Sequence, residues 1–158
     1  MTILETRTLR WPDEAACDEF AQALAARPAL RRAFIALHGT LGAGKTTFTR
    51  HLLQALGVGG RIKSPTYTLV EEYTAGAAGG GGAIRHFDFY RFDDPQEWED
   101  AGLRELFAAP GLKLAEWPDK AGGLLPMADL SLHIVPGEDD TRTVTLEART
   151  ALGRELLA

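Results

Sequence analysis

Gly39-Thr40-Leu41-Gly42-Ala43-Gly44-Lys45-Thr46 decides how this chain is read. It fits the phosphate-loop pattern: a glycine, four residues, then Gly-Lys-Thr or Gly-Lys-Ser. The apolar run Phe34-Ile35-Ala36-Leu37 precedes it, and Thr47 to Leu56 follows with helical spacing. That is the strand–loop–helix setting in which the pattern has physical meaning. Glycines let the backbone curl with its N–H groups facing inward, because no Cβ obstructs the turn. The helix behind adds the positive end of its dipole. Lys45 then reaches toward the β- and γ-phosphates of a nucleotide, and the Thr46 hydroxyl is placed to ligate Mg²⁺. The competing, bland reading is a glycine-rich strand-to-helix turn with a solvated lysine.

Working outward, residues 2–10 alternate weakly and suit an edge strand. Trp11-Pro12-Asp13-Glu14 reads as a helix entrance, after which Ala16, Cys17, Phe20, Ala23 and Leu24 repeat at helical spacing. Pro28 ends that helix or follows its end. Phe34 to Leu37 is a short continuous apolar run, as in a strand covered on both faces. The helix after the loop turns Phe48, Leu52, Leu53 and Leu56 inward, with Gly57 as its cap.

Beyond Gly59-Gly60, the Ser64 to Val70 stretch leads into a β-rich segment ending near Tyr73. Residues 75–82 are almost entirely Gly and Ala; they offer nothing to pack and read as a flexible loop joining two hairpin strands, the second from Ala83 to Tyr90. Asp94, Pro95 and Glu97 mark a helix start, and Gly102 interrupts the helical region before Leu103. Leu112 to Glu116 reads as a short strand, residues 119–127 as a loop or short helix. Leu130 to Val135 and Thr143 to Ala148 read as two strands around a turn, and Gly153 to Leu157 as a short helix. The expectation is one domain over residues 1–158: an α/β, three-layer, P-loop NTPase-like fold whose sheet is mixed parallel and antiparallel, because its hairpins must pair antiparallel.

Composition narrows the function. A net charge of −5, without a Lys/Arg run interleaved with aromatics, argues against an autonomous nucleic-acid binder. No apolar run approaches the ~18 residues of a membrane helix, and the first residues lack a signal-peptide layout, so a cytoplasmic protein without membrane association is expected. The single cysteine, Cys17, excludes an internal disulfide and reads as core.

A phosphate loop specifies nucleotide binding; hydrolysis also needs a carboxylate near Mg²⁺ or the attacking water. Asp88, inside the aromatic run His86-Phe87-Asp88-Phe89-Tyr90, is one candidate, because an acid there is costly unless it is paired or serves a site. Its alternative is a salt bridge with Arg85 or Arg91. Glu116 is the second, at the carboxyl end of an apolar strand, where open α/β sheets bind ligands. It would hold Mg²⁺ through water or order the nucleophilic water; its alternative is a solvated strand-end carboxylate. Trp117 reads equally as a stacking surface or as core. The hydroxyls of Ser64 to Thr68, Thr66 among them, would touch the γ-phosphate as a switch does, or simply lead into a strand. The four histidines, His38, His51, His86 and His133, show no metal-ligand spacing and read as structural.

Four stretches together resemble one family. They are Gly-Thr-Leu-Gly-Ala-Gly-Lys-Thr-Thr-Phe-Thr-Arg (39–50), Lys-Ser-Pro-Thr-Tyr-Thr-Leu-Val (63–70), His-Phe-Asp-Phe-Tyr-Arg (86–91) and Ala-Glu-Trp-Pro (115–118). In this order they are similar to the TsaE/YjeE family, the small bacterial ATPase subunit of the tRNA threonylcarbamoyladenosine-synthesising machinery. The Ser-Pro-Thr-Tyr-Thr and Glu-Trp-Pro strings are far more specific than the loop, which many families share. The resemblance implies an ATP/ADP-binding, Mg²⁺-dependent ATPase, weak alone. It implies two partner proteins of the threonylcarbamoyl-transferase complex, with tRNA reached only through that complex and hydrolysis resetting it between turnovers. It further implies that Leu41, Gly42, Ala43, Gly44, Lys45, Thr46, Thr47 and Thr66 line the nucleotide, that Glu14 lies near the adenine, and that Arg142 approaches the nucleotide. Asp88 would serve catalysis, and Glu116 both catalysis and, with Thr46, the metal. The family usually has Asp where this chain has Thr40, which bears on any catalytic use of that carboxylate. The readings from other classes are a small P-loop kinase, which would need an arginine-rich lid, and a non-catalytic nucleotide-sensing assembly module.

Overall fold

A computed structural model of the chain describes residues 2–60, 62, 69–77, 81–100 and 102–158. Seven strands form one mixed sheet: β1 (Glu5–Trp11), β2 (Phe34–His38), β3 (Val70–Thr74), β4 (Ala83–Asp88), β5 (Leu112–Glu116), β6 (Leu130–Pro136) and β7 (Arg142–Ala148). Their spatial order is β1-β7-β6-β2-β5-β4-β3. The central strands β6, β2, β5 and β4 run parallel, and the flanking pairs β1–β7, β7–β6 and β4–β3 are antiparallel. The mixed sheet with helices on both faces is the architecture the sequence implies.

β2 sits in the middle because four of its five residues are buried and apolar, as a strand covered on both faces requires. Alternation then sorts its side chains. Ile35 and Leu37 face a core shared with α1 (Glu14–Ala25), α2 (Lys45–Ala55) and α5 (Ala151–Leu157), where Phe48, Leu52 and Leu53 are fully buried. Each such side chain contributes about 1.5–3 kcal/mol relative to exposure. Phe34 faces a second, aromatic core with Phe87, Phe89 and Phe92, covered by Trp98 and Leu103 of α3 (Pro95–Asp100) and α4 (Leu103–Ala108).

Local chemistry sets the helix ends. Asp13 caps α1 by accepting from the Ala16 N–H at 2.9 Å, and Asp94 accepts from the Gln96 N–H at 3.0 Å at the start of α3. Gly102, at φ +66°, breaks the helical region into α3 and α4 as its sequence implies. Residues 118–124 form a 3₁₀ segment.

The Gly/Ala stretch after β3 is more ordered at its start than its composition implies. Ala75 is buried, and the Gly76 N–H donates to the Leu56 carbonyl at 3.0 Å. A Cβ on Gly76 would lie 2.7 Å from the Gly57 carbonyl oxygen. The expectation that glycine and alanine have nothing to pack fails here because two glycine backbones pack directly on each other. Among the described residues, no helix is long and apolar enough to cross a membrane.

Candidate functional site

The carboxyl ends of β2, β4 and β5 meet at one edge of the sheet. In the parallel ladders Leu37 pairs with Glu116, and Glu116 with Asp88. The loop 39–44 leaves β2 at this edge and enters α2 at Lys45. Its backbone demands glycine. Gly42 and Gly44 stand at φ +78° and +114°, and a Cβ on Gly39 would lie 2.8 Å from the Ile134 carbonyl oxygen and 2.9 Å from the Ala43 Cβ. The Ala43 N–H donates to the Thr40 carbonyl at 3.0 Å, closing the turn.

Lys45 is buried, not the solvated lysine of the bland reading. Its ammonium donates to the Gly39 carbonyl and lies 3.9 Å from the centroid of the Trp117 ring. Burial lowers its pKa, while the Glu116 and Asp88 carboxylates oppose that shift. Trp117 reaches the lysine because its own backbone is left-handed, at φ +55°, a conformation that costs a non-glycine residue about 1–2 kcal/mol. The Tyr90 ring meets Trp117 edge-on at 4.9 Å. Trp117 thus stacks on the lysine and also packs against the aromatic core, so both readings of it hold.

Both candidate carboxylates lie on this edge. Asp88 accepts the Tyr90 N–H at 2.9 Å. Burial raises its pKa, Glu116 adds to the rise, and the Tyr90 bond, His86 and Lys45 work against it. Among the described residues neither Arg85 nor Arg91 forms a salt bridge with Asp88; Arg85 pairs with Glu72 at 3.6 Å. Glu116 is only 3% exposed, so it is not a solvated strand-end acid, and its Oε2 meets His86 Nε2 at 2.6 Å.

His86 is the site residue that the sequence reading passes over. Its clue is its place two residues before Asp88 in a strand, which puts both on one face. Two other histidines also find partners: His38, just before Gly39, stacks on His133 at 4.4 Å.

The remaining expected site residues divide. Leu41 is 69% exposed at the loop tip and Ala43 is fully buried. Thr46 is exposed in the first turn of α2, where N–H groups and the helix dipole favour anions. Thr47 lies half-buried beside it. Arg142, at the start of β7, is brought to the loop, where its Nε donates to the Ala43 carbonyl at 2.7 Å. Glu14 pairs with His51 Nε2 of α2 at 2.9 Å. Thr66, with the rest of Ser64 to Thr68, lies outside the described residues.

The donor set suits magnesium and a nucleotide. Thr46, Asp88 and Glu116 offer hard oxygens around the first turn of α2 and the ends of β4 and β5. Among the described residues, no three His, Cys, Asp or Glu could hold a metal by themselves. Magnesium beside ATP ordinarily takes one or two protein oxygens and completes its shell with phosphates and water.

Comparison with known proteins places the chain among its relatives. The profile of the family described as threonylcarbamoyl adenosine biosynthesis protein TsaE matches residues 11–144. A tRNA threonylcarbamoyladenosine biosynthesis protein TsaE from Haemophilus influenzae is 42% identical, over 98% of each chain. A Bacillus subtilis protein of the same description is 40% identical, over 72% of this chain and 68% of its own. A crystal structure of Bacillus subtilis YdiB superposes with a TM-score of 0.76 at 28% identity, covering 99% of this chain and 95% of that one.

Proposed function

The chain belongs to the TsaE family of threonylcarbamoyl adenosine biosynthesis proteins, and from that premise we propose that it is the Mg²⁺-dependent, partner-activated ATPase subunit of tRNA threonylcarbamoyladenosine synthesis. It works in the cytoplasm with two partner proteins of the threonylcarbamoyl-transferase complex and meets tRNA through them. The observation that carries the reading is the convergence of Lys45, Asp88 and Glu116 at the end of the phosphate loop.

The roles we assign fit the positions of the described residues. The backbone of Leu41 to Thr47 cradles the phosphates of ATP or ADP. Lys45 leaves the Gly39 carbonyl and the Trp117 ring for the phosphates, where the acceptor carries a charge as well as the donor. Thr46 and Glu116 hold the metal, Glu116 directly or through water. Mg²⁺, when bound, supplies positive charge where negative charge develops on the phosphates. Asp88, its proton affinity raised by burial, accepts a proton from the attacking water or orients it. Arg142 fixes the loop through the Ala43 carbonyl, and Glu14 at the start of α1 is the residue assigned to the adenine side. Hydrolysis resets the complex between turnovers.

The test is ATP hydrolysis by the chain alone and with both partners, beside tRNA modification followed over many turnovers. Stimulation by the partners, and modification that stalls without this chain, are the expected results. Nucleotide binding with no stimulated turnover would instead make the chain a nucleotide-sensing module.

A further inference from the structure

His86 and Glu116 form a polar pair embedded in apolar surroundings. His86 is 1% exposed and Glu116 3%. On the same sheet face, their strand neighbours Ile84, Leu112 and Leu114 belong to the main core. A hydrophobic pair of similar volume would serve stability at least as well, because taking polar and charged groups out of water offsets most of their mutual attraction. The pair therefore calls for a reason other than stability.

Its geometry supplies one. In the β4–β5 ladder His86 stands opposite Leu114, and Asp88 opposite Glu116. His86 is thus one same-face step behind Asp88 and leans along the strand to reach the carboxylate at 2.6 Å. The other ring nitrogen, Nδ1, is buried and has no hydrogen-bond partner among the described residues. Among the described residues the ring has one hydrogen-bond partner, Glu116. A bare Nδ1 fits the tautomer with its hydrogen on Nε2, because a buried N–H without an acceptor is rarer and costlier than an unpaired acceptor. His86 therefore donates and Glu116 Oε2 accepts.

We propose that His86 is a positioning residue for Glu116: its Nε2–H fixes the carboxylate rotamer and engages Oε2, leaving Oε1 for the metal or its water. The inference rests on the reading of Glu116 as the magnesium-side carboxylate. It assigns Asp88 and Glu116 different duties by their partners. The first is tied to a backbone N–H and the second to an imidazole.

Two substitutions separate positioning from packing. Glutamine places its amide nitrogen about where Nε2 of histidine lies, so His86→Gln keeps the donor. His86→Leu keeps the volume and removes it. ADP affinity is measured by titration calorimetry in EDTA and in Mg²⁺, thermal unfolding checks the fold, and turnover is followed with both partners. All three proteins are expected to bind ADP alike in EDTA. Wild type and His86→Gln gain affinity with Mg²⁺; His86→Leu loses about tenfold or more of that gain and of kcat, as losses of ligand-orienting groups do. In the metal-free wild type, ¹⁵N spectra of the ring are expected to show the hydrogen on Nε2. Equal magnesium response in His86→Leu and wild type would overturn the proposal, as would His86→Gln falling as far as His86→Leu, or an Nδ1–H tautomer. Loss of ADP binding by His86→Leu in EDTA would overturn it too, by showing a general packing role. Failure of the wild type to bind nucleotide at all would overturn the proposed function, and this inference with it.

Discussion

The Lys45 ammonium rests 3.9 Å from the centre of the Trp117 ring. The lysine is buried, and two groups make that tolerable. The Gly39 carbonyl accepts its hydrogen bond, and the aromatic face supplies negative quadrupole charge. A nucleotide phosphate would compete for the same ammonium.

Movement of Lys45 alters the surroundings of Trp117, so ADP is expected to change the tryptophan emission. Trp11 and Trp98 are buried in the two cores. In Trp117→Phe the change should vanish while calorimetry still detects ADP. A full-sized change in that variant would detach the ring from the site.

Lys45→Ala removes a charge-assisted contact of about 1.5–3 kcal/mol. Nucleotide affinity should fall at least about tenfold with little loss of thermal stability, since a buried cation also leaves. A titration giving wild-type affinity would move the phosphates away from the loop.

Asp88→Asn should raise the unfolding temperature at neutral pH and lower turnover with the partners. The raised pKa of Asp88, caused first by burial, means that the folded chain holds this proton more tightly than the unfolded chain does. Its contribution to stability is complete below the ordinary carboxylate range and lost as pH rises through the raised value. Asparagine keeps the acceptor for Tyr90 and removes the charge, so it also flattens this pH dependence. An unfolding temperature at or below that of wild type at pH 7, or unchanged turnover, would contradict these roles.

Two glycine substitutions in the loop should differ. Gly42→Ala meets no atom within 4 Å but keeps φ +78°, a cost of about 1–2 kcal/mol. Gly39→Ala adds contact with the Ile134 carbonyl and the Ala43 Cβ to an unfavourable φ and should cost about 1–3 kcal/mol more. Chemical denaturation orders the two; equal midpoints would contradict the close approach at Gly39.

Cys17 should resist alkylation in the folded chain. Its pKa is pushed up to about 12, by burial first and then by Glu14 and Asp18. At pH 8 the native thiol should react at least about a hundredfold more slowly than the unfolded one. Similar rates would show that α1 opens readily.

The elements of this fold were legible because local chemistry specifies them. The apolar run of β2, the caps at Asp13 and Asp94 and the break at Gly102 each depend on a few adjacent residues. The loop and both carboxylates were legible for the same reason. What stayed hidden depends on pairing between distant segments. The His86–Glu116 bond requires the β4–β5 register. The Gly57–Gly76 contact requires the end of α2 to meet the β3–β4 hairpin. Trp117 reaches Lys45 only through a left-handed backbone that its residue type disfavours.

Arg142 holds the Ala43 carbonyl across 99 positions of sequence. During synthesis, β2, the loop and α2 emerge from the ribosome well before that guanidinium exists. β1, made at the start, must also wait for β7, with which it pairs. Contacts this distant slow folding, because the intervening chain must be ordered before they form. A nascent chain halted before residue 142 would therefore carry the whole phosphate-loop motif without its Arg142 brace, and the loop's final shape waits on chain made about a hundred residues later.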